Sequence, residues 1–246
     1  MKKGDRAFFD SLRDLGPYFI GEGEEVVRAL FKSQIEIKSL LMEERYLDKF
    51  SIPPHVEVHL STREELQNIK GYAMHQGIMA LGVKPPNVPV EQMNGAAVVL
   101  NGLVNAENVG AVIRNAVAFG IENLIVDEHT SPPYLRRSIK VSRGALFHMK
   151  VHTTTDLPGL LKTQQGIATY LGEGAIPLQE ASFPENPYFV FGREGSGIDQ
   201  DVLLNCVLRV KIPIDPIIDS LNVAVASGIV LYKINEYSNP KGNRNQ

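Results

Sequence analysis

Only one cysteine, Cys206, and no tryptophan occur among the 246 residues. A single thiol excludes an internal disulfide, so an apolar core must hold the fold. The six histidines are scattered without the Cys/His spacing of a zinc site, and no metal is expected. No stretch approaches the roughly 20 apolar residues of a membrane span. Met1-Lys2-Lys3-Gly4-Asp5-Arg6 leads into polar, acid-containing sequence instead of an apolar signal core, which predicts a cytoplasmic protein. A basic excess is also missing. The net charge of -3 argues against general coating of nucleic acid, so any RNA contact must come from local patches.

With 43% hydrophobic and 22% charged residues, the chain has material for one large domain or two of ordinary size. Pro85-Pro86-Asn87-Val88-Pro89 interrupts both helix and strand and predicts a linker, which gives a first domain over 1–88 and a second over 89–246. In the first, Gly21–Leu30 ends in a helix and Val56–Leu60 alternates as a half-buried strand does. Ser61 or Thr62 then caps a further helix, so this is a small α/β unit. In the second, Ala96–Leu100, Leu124–Asp127, Ile167–Leu171, Tyr188–Phe191 and Val207–Ile212 are short β-branched runs separated by helical segments. That alternation predicts a mainly parallel sheet covered on both faces.

Polar residues gather where these runs end. Asn108–Gly120 reads as a helix with Val109, Val112, Ile113, Ala116 and Val117 on its buried stripe and Arg114 beside it. Gly192-Arg193-Glu194-Gly195-Ser196-Gly197 follows a buried strand, and its glycines allow a sharp turn or close approach to a ligand. Its G-x-x-G-x-G spacing fits neither the dinucleotide fingerprint nor the P-loop. Further on, Lys211-Ile212-Pro213 ends a strand, and Asp219 or Ser220 is suited to cap a helix that begins near Leu221. That helix is apolar on nearly every side from Val223 to Leu231. It therefore needs a second layer or a subunit partner.

Taken in order, Asn108–Arg114, Gly192–Gly197 and Ile212-Pro213 with Ser220-Leu221-Asn222 resemble the three motifs of the SpoU/TrmH family of RNA ribose 2'-O-methyltransferases, part of the SPOUT superfamily. The resemblance runs from about Ala96 to Tyr237 and takes in Ser142-Arg143-Gly144-Ala145. Gly21–Leu30 and His75-Gln76-Gly77-Ile78 are similar to the small ribosomal-protein-like RNA-binding domain that precedes many members.

The resemblance implies an α/β fold whose parallel sheet ends in a C-terminal trefoil knot, homodimers joined through the knot region, and S-adenosylmethionine as methyl donor. Threaded chains are rare, and pattern alone does not suggest one. It also implies cofactor-binding roles for Leu171, Gly172, Gly192, Ile212 and Leu221, and catalytic roles for Asn108, Arg114, Glu194, Ser220 and Asn222. The implied reaction is attack of a ribose 2'-oxygen, in ribosomal or transfer RNA, on the donor's methyl group. A guanidinium is almost never deprotonated. Arg114 is therefore expected to hold the neighbouring phosphate and favour the alkoxide, with proton removal left open.

A local basic excess at Arg136, Arg137, Lys140, Arg143 and Lys150 is expected to meet RNA phosphates. One segment departs from the family. Ile214-Asp215-Pro216-Ile217-Ile218-Asp219 stands where members commonly carry Met and Gly, and it adds carboxylates and a stiff Pro216. Two other classes fit less well. A non-catalytic knotted RNA scaffold would lose the polar motif residues, and a Rossmann oxidoreductase would need a glycine-rich turn that Asn101–Asn105 does not supply.

Overall fold

A computed structural model of the chain describes residues 16–70 and 77–238; the expectations for His75-Gln76 and for the first residues lie outside the described residues. Two compact units emerge. One takes the described residues up to Pro86 together with Pro132–His148, and the other takes Asn87–Ser131 and the described residues from Met149.

In the first unit, β1 (Tyr18–Glu22), α1 (Glu24–Lys32), β2 (Ile37–Met42), β3 (Glu57–Leu60), α2 (Arg63–Lys70) and β4 (Ile78–Val83) follow in sequence. The sheet order is β1-β4-β2-β3, with β4 antiparallel to both β1 and β2, and β3 parallel to β2. Val26, Val27 and Leu30 of α1 are buried, as one helix face should be. Thr62 caps α2 in a reciprocal box: Glu65 N–H donates to Thr62 Oγ1 at 3.2 Å, and Thr62 N–H donates to Glu65 Oε2 at 2.9 Å.

The second unit holds seven strands, and every pairing is parallel. It opens with β5 (Ala97–Asn101), α3 (Ala106–Ala118) and β6 (Asn123–Asp127). The chain then makes an excursion through α4 (Arg136–Ser142), which packs with the first unit, although the sequence reading left it in the second. The physical reason is a buried joint: Arg136 Nε donates to Glu22 Oε2 at 2.9 Å, and Phe19 stacks on Tyr134 and Phe147. Back in the second unit come β7 (Lys150–Thr154), α5 (Leu157–Leu161), β8 (Gly166–Thr169), β9 (Ile176–Pro177) and β10 (Tyr188–Gly192). α6 (Gln200–Leu204), β11 (Leu208–Lys211) and α7 (Val223–Ser238) complete it.

Strand order is β7-β6-β5-β10-β8-β11-β9. β5, β6 and the first four residues of β10 are buried on both faces, which is why they read as unbroken β-branched and aromatic runs. Phe189 and Phe191 are fully buried. Truncating either to alanine should cost about 3–5 kcal/mol. α3 is capped by Asn105, whose side chain accepts from Glu107 N–H, and it buries Val109, Val112, Ile113 and Ala116. Asn115 then ties α3 to α7, its Nδ2 donating to the Ala224 carbonyl at 2.7 Å and to Ser227 Oγ at 2.9 Å. Among the described residues no helix is long and apolar enough to cross a membrane, and no group of three or more His, Cys, Asp or Glu could hold a metal ion.

Candidate active site

Because all strands of the second unit are parallel, their C-terminal ends lie on one edge, where ligands of open α/β sheets bind. The segments after β8, β10 and β11 meet there around a cavity of about 630 Å³. Leu171, Gly172, Gly192, Ile212 and Leu221, expected as cofactor-binding, all line it. A cavity of this size suits one small organic ligand.

The glycines after β10 have separate causes. Arg193 and Gly197 exchange both backbone hydrogen bonds at 3.0 Å, which closes a tight hairpin over Gly192. Any Cβ at Gly192 would overlap the Gly197–Ile198 backbone, while Gly195 and Gly197 sit at φ of +85° and +72°, where side chains are strained. The hairpin presents Glu194 to the cavity wall.

Two of the other four expected catalytic side chains converge on that carboxylate. Asn108, in the first turns of α3, donates through Nδ2 to Glu194 Oε1. Asn222 Nδ2 donates to Glu194 Oε1 at 3.1 Å and to Asn108 Oδ1 at 3.3 Å. Asn222 also accepts from Ala224 N–H at 2.8 Å, so it, rather than Asp219 or Ser220, caps the last helix, which begins at Val223. Ser220 lines the cavity but joins none of these bonds.

Arg114 is the exception. It is exposed, lies off the cavity, and makes no hydrogen bond or ion pair among the described residues. Helix geometry explains this. Six residues after Asn108, Arg114 is rotated by about 600° and displaced by about 9 Å along the axis, so the two cannot face the same way. The polar run Asn108–Asn115 is thus three separate features: Asn108 at the cavity, Arg114 on the surface, and Asn115 between helices.

The basic patch also needs correction. Arg136 is buried against Glu22, a pair also approached by Lys140 Nζ at 3.7 Å, and Arg143 is paired with Glu25. Arg136 is therefore an internal counter-ion of the first unit and not a phosphate contact, because its desolvated charge is already matched. Arg137, Lys140 and Arg143 remain exposed.

The departing loop after Pro213 accounts for one of its carboxylates. Asp215 Oδ1 accepts from Ile217 N–H at 2.9 Å and the Asp215 carbonyl from Ile218 N–H at 3.2 Å, so that side chain builds its own turn. Burial pushes the Cys206 thiol up to about 11. Motif reasoning missed Asn101, Asp127, Arg193 and Asp199, which form a second polar group beside the hairpin. Their signal was positional: Asn101 and Asp127 are the polar residues that end buried strands.

The chain matches the model of the SpoU rRNA methylase family over residues 95–232, the span that carries this site. It is 31% identical over 196 residues to the 23S rRNA (guanosine-2'-O-)-methyltransferase RlmB of Acinetobacter baylyi, covering 74% of this chain and 79% of that one. It is 26% identical over 223 residues to the 23S rRNA (guanosine(2553)-2'-O)-methyltransferase RlmP of Bacillus subtilis, covering 88% of each. Its fold matches that of an AdoMet-bound rRNA methyltransferase from Sinorhizobium meliloti with a TM-score of 0.82 and 20% identity, over 97% of this chain and 96% of that one. With the cavity, the Glu194 cluster and the family match on one and the same segment, the chain belongs to the SpoU rRNA methylase family.

Proposed function

We propose that the protein transfers a methyl group from S-adenosylmethionine to a ribose 2'-hydroxyl of ribosomal RNA, acting in the cytoplasm as a homodimer. The observation that carries this is the convergence of Asn108, Glu194 and Asn222 on the wall of the 630 Å³ cavity, within the family span and with the expected donor-binding residues around it. The relatives' names supply the class of substrate. A non-catalytic scaffold is not favoured, because this polar cluster is assembled and not merely present.

Bound S-adenosylmethionine supplies a methyl group activated by its sulfonium. The walls at Leu171, Gly172, Gly192, Ile212 and Leu221 hold the donor, and the fit is supported by cavity size and by the Gly192 hairpin, whose close approach leaves no side chain in the way. Asn108 and Asn222 fix the Glu194 carboxylate, and Ser220 completes the polar wall. Arg114 keeps its charge, holds the phosphate next to the target ribose and favours negative charge on the attacking oxygen. The 2'-hydroxyl itself confines the reaction to RNA.

The dimer has a specific support. Val225, Ile229 and Tyr232 are 52%, 39% and 55% exposed and recur at four and three residues along α7, so they form one largely exposed apolar helix face, which among the described residues Phe119 meets edge-on at Tyr232. We assign that face to a second copy of the chain, and the action of the exposed Arg114 on the partner's cavity is part of the same proposal. The threading of 212–238 as a trefoil knot is part of the same proposal. It is supported by β10 and β11 lying on either side of β8 and by the return of the chain to Asn108 and Asn115 after β11. Arg137, Lys140 and Arg143 are the proposed phosphate contacts of the first unit.

Calorimetry with S-adenosylmethionine and its demethylated product, followed by mapping of 2'-O-methyl sites lost when the gene is deleted, tests the reading. Binding of both ligands and loss of a ribosomal site are expected. An unchanged methylation map and no heat of binding would overturn it.

A further inference from the structure

Behind the Glu194 hairpin, a second set of polar contacts ties it to the ends of β5 and β6. Arg193 Nη2 donates to Asp199 Oδ2 at 2.8 Å. Asn101, the last residue of β5, donates through Nδ2 to the same Asp199 oxygen at 2.9 Å and to Asp127 Oδ2 at 2.7 Å, and its Oδ1 accepts from Asp199 N–H at 2.7 Å. Both amide hydrogens and the oxygen of Asn101 are thus committed, and only one orientation of the amide suits two carboxylates. Asp127 in turn accepts from Gly102 N–H at 3.1 Å and Thr130 Oγ1 at 2.7 Å. Asn101 and Asp127 are almost fully buried, so this end of the network is rigid.

Arg193 is seated from below as well. Gly102 has φ +70°, and any side chain there would overlap the Arg193 guanidinium. The guanidinium is therefore held between Asp199 and the bare Gly102 backbone. Through its own main chain it also makes both hydrogen bonds that close the hairpin. Glu194 is the next residue.

We propose that Arg193 is a positioning residue: its ion pair with Asp199, anchored by Asn101 and Asp127, fixes the Gly192–Gly197 hairpin so that Glu194 meets Asn108 and Asn222. This rests on the reading of Glu194 as part of the methyl-transfer site. The half-exposed pair contributes little to global stability, being screened by solvent, so its effect is on alignment. Arg193 also lines the cavity, and direct contact with the donor's carboxylate is the rival role. The commitment of its Nη2 to Asp199 favours positioning.

The test uses Arg193→Gln, Asp199→Asn, their combination and Arg193→Lys in the full-length protein, with three readouts: amide hydrogen exchange over 192–198 without ligand, the Kd for the donor, and kcat and KM with RNA. Arg193→Gln should speed hairpin exchange by about tenfold and lower kcat by up to about 100-fold, with donor Kd within about threefold, because a small misplacement of a catalytic group acts mainly on turnover. Asp199→Asn should act in the same direction, and the combination should be no worse than Arg193→Gln alone. Arg193→Lys should recover part of the exchange protection, since a point charge keeps the ion pair but not the planar fit over Gly102. Unchanged exchange in Arg193→Gln would overturn the proposal, and a raised Kd for the donor beside it would assign the arginine to ligand contact. A wild-type protein that neither bound donor nor methylated RNA would remove the functional reading alone, because exchange still reads the clamp.

Discussion

Asn108 and Arg114 stand six residues apart on α3, yet one is built into its site and the other is left bare. Around Asn108 the chain is complete: Glu194 and Asn222 reach it from elements 86 and 114 residues away, and the cavity wall closes around them. Arg114 is an exposed cation, and α7, which packs against α3, carries a largely exposed apolar face at Val225, Ile229 and Tyr232. The difference teaches that the described residues of one chain assemble the Glu194 cluster without Arg114. In the proposed homodimer, a second copy would supply that arginine to the cavity of the first.

The comparison breaks most visibly at Arg114 itself. Arg114→Ala should lower kcat by about 100- to 1000-fold, the scale of losing one preorganised charge-stabilising donor. Its donor Kd and melting temperature should stay unchanged, because the side chain touches neither cavity nor core. Calorimetry beside single-turnover methylation checks this; a large rise in donor Kd would show that Arg114 holds the donor and not the RNA phosphate.

Arg136 offers the opposite case among the arginines. Removing it strips the buried Glu22 of its closest cation and leaves Lys140 Nζ at 3.7 Å, so Arg136→Ala should destabilise the first unit by up to about 3–5 kcal/mol. Replacing both partners with Leu and Met should recover most of that loss. Chemical denaturation followed at the first unit measures both, and a neutral Arg136→Ala would show that the pair carries no structural weight.

A smaller effect belongs to Asn222, which serves the donor side twice. Asn222→Ala should cost about 1 kcal/mol through loss of the α7 cap and should weaken the Glu194 cluster as well. Asn222→Asp keeps the cap but sets a carboxylate against Glu194. It should therefore preserve the melting temperature while lowering turnover, which separates the two duties in a thermal melt and an assay.

Much of this was legible in the sequence, for identifiable reasons. β5, β6 and β10 announce themselves because strands buried on both faces have no polar alternation, and the motif residues lie where those runs stop. What was hidden depends on rotation and on distant partners. The cluster Asn108–Asn115 looks continuous in one dimension but is parted by the helical twist. Arg136 looks like a member of a basic patch because its counter-ion, Glu22, is 114 residues away. The α7 cap fell to Asn222, and not to Asp219 or Ser220, because its side-chain oxygen is the one that faces Ala224 N–H. β9 is two residues long, below what periodicity can register.

The division of labour between cavity and Arg114 is tested most directly by mixing two inactive proteins, Arg114→Ala and Glu194→Gln, under conditions that allow subunits to exchange. If Arg114 acts across the dimer, each mixed dimer regains one intact site, and the mixture should recover roughly a quarter of wild-type turnover. If the mixture stays as inactive as its components while mixed dimers form, Arg114 serves its own chain and the account is contradicted.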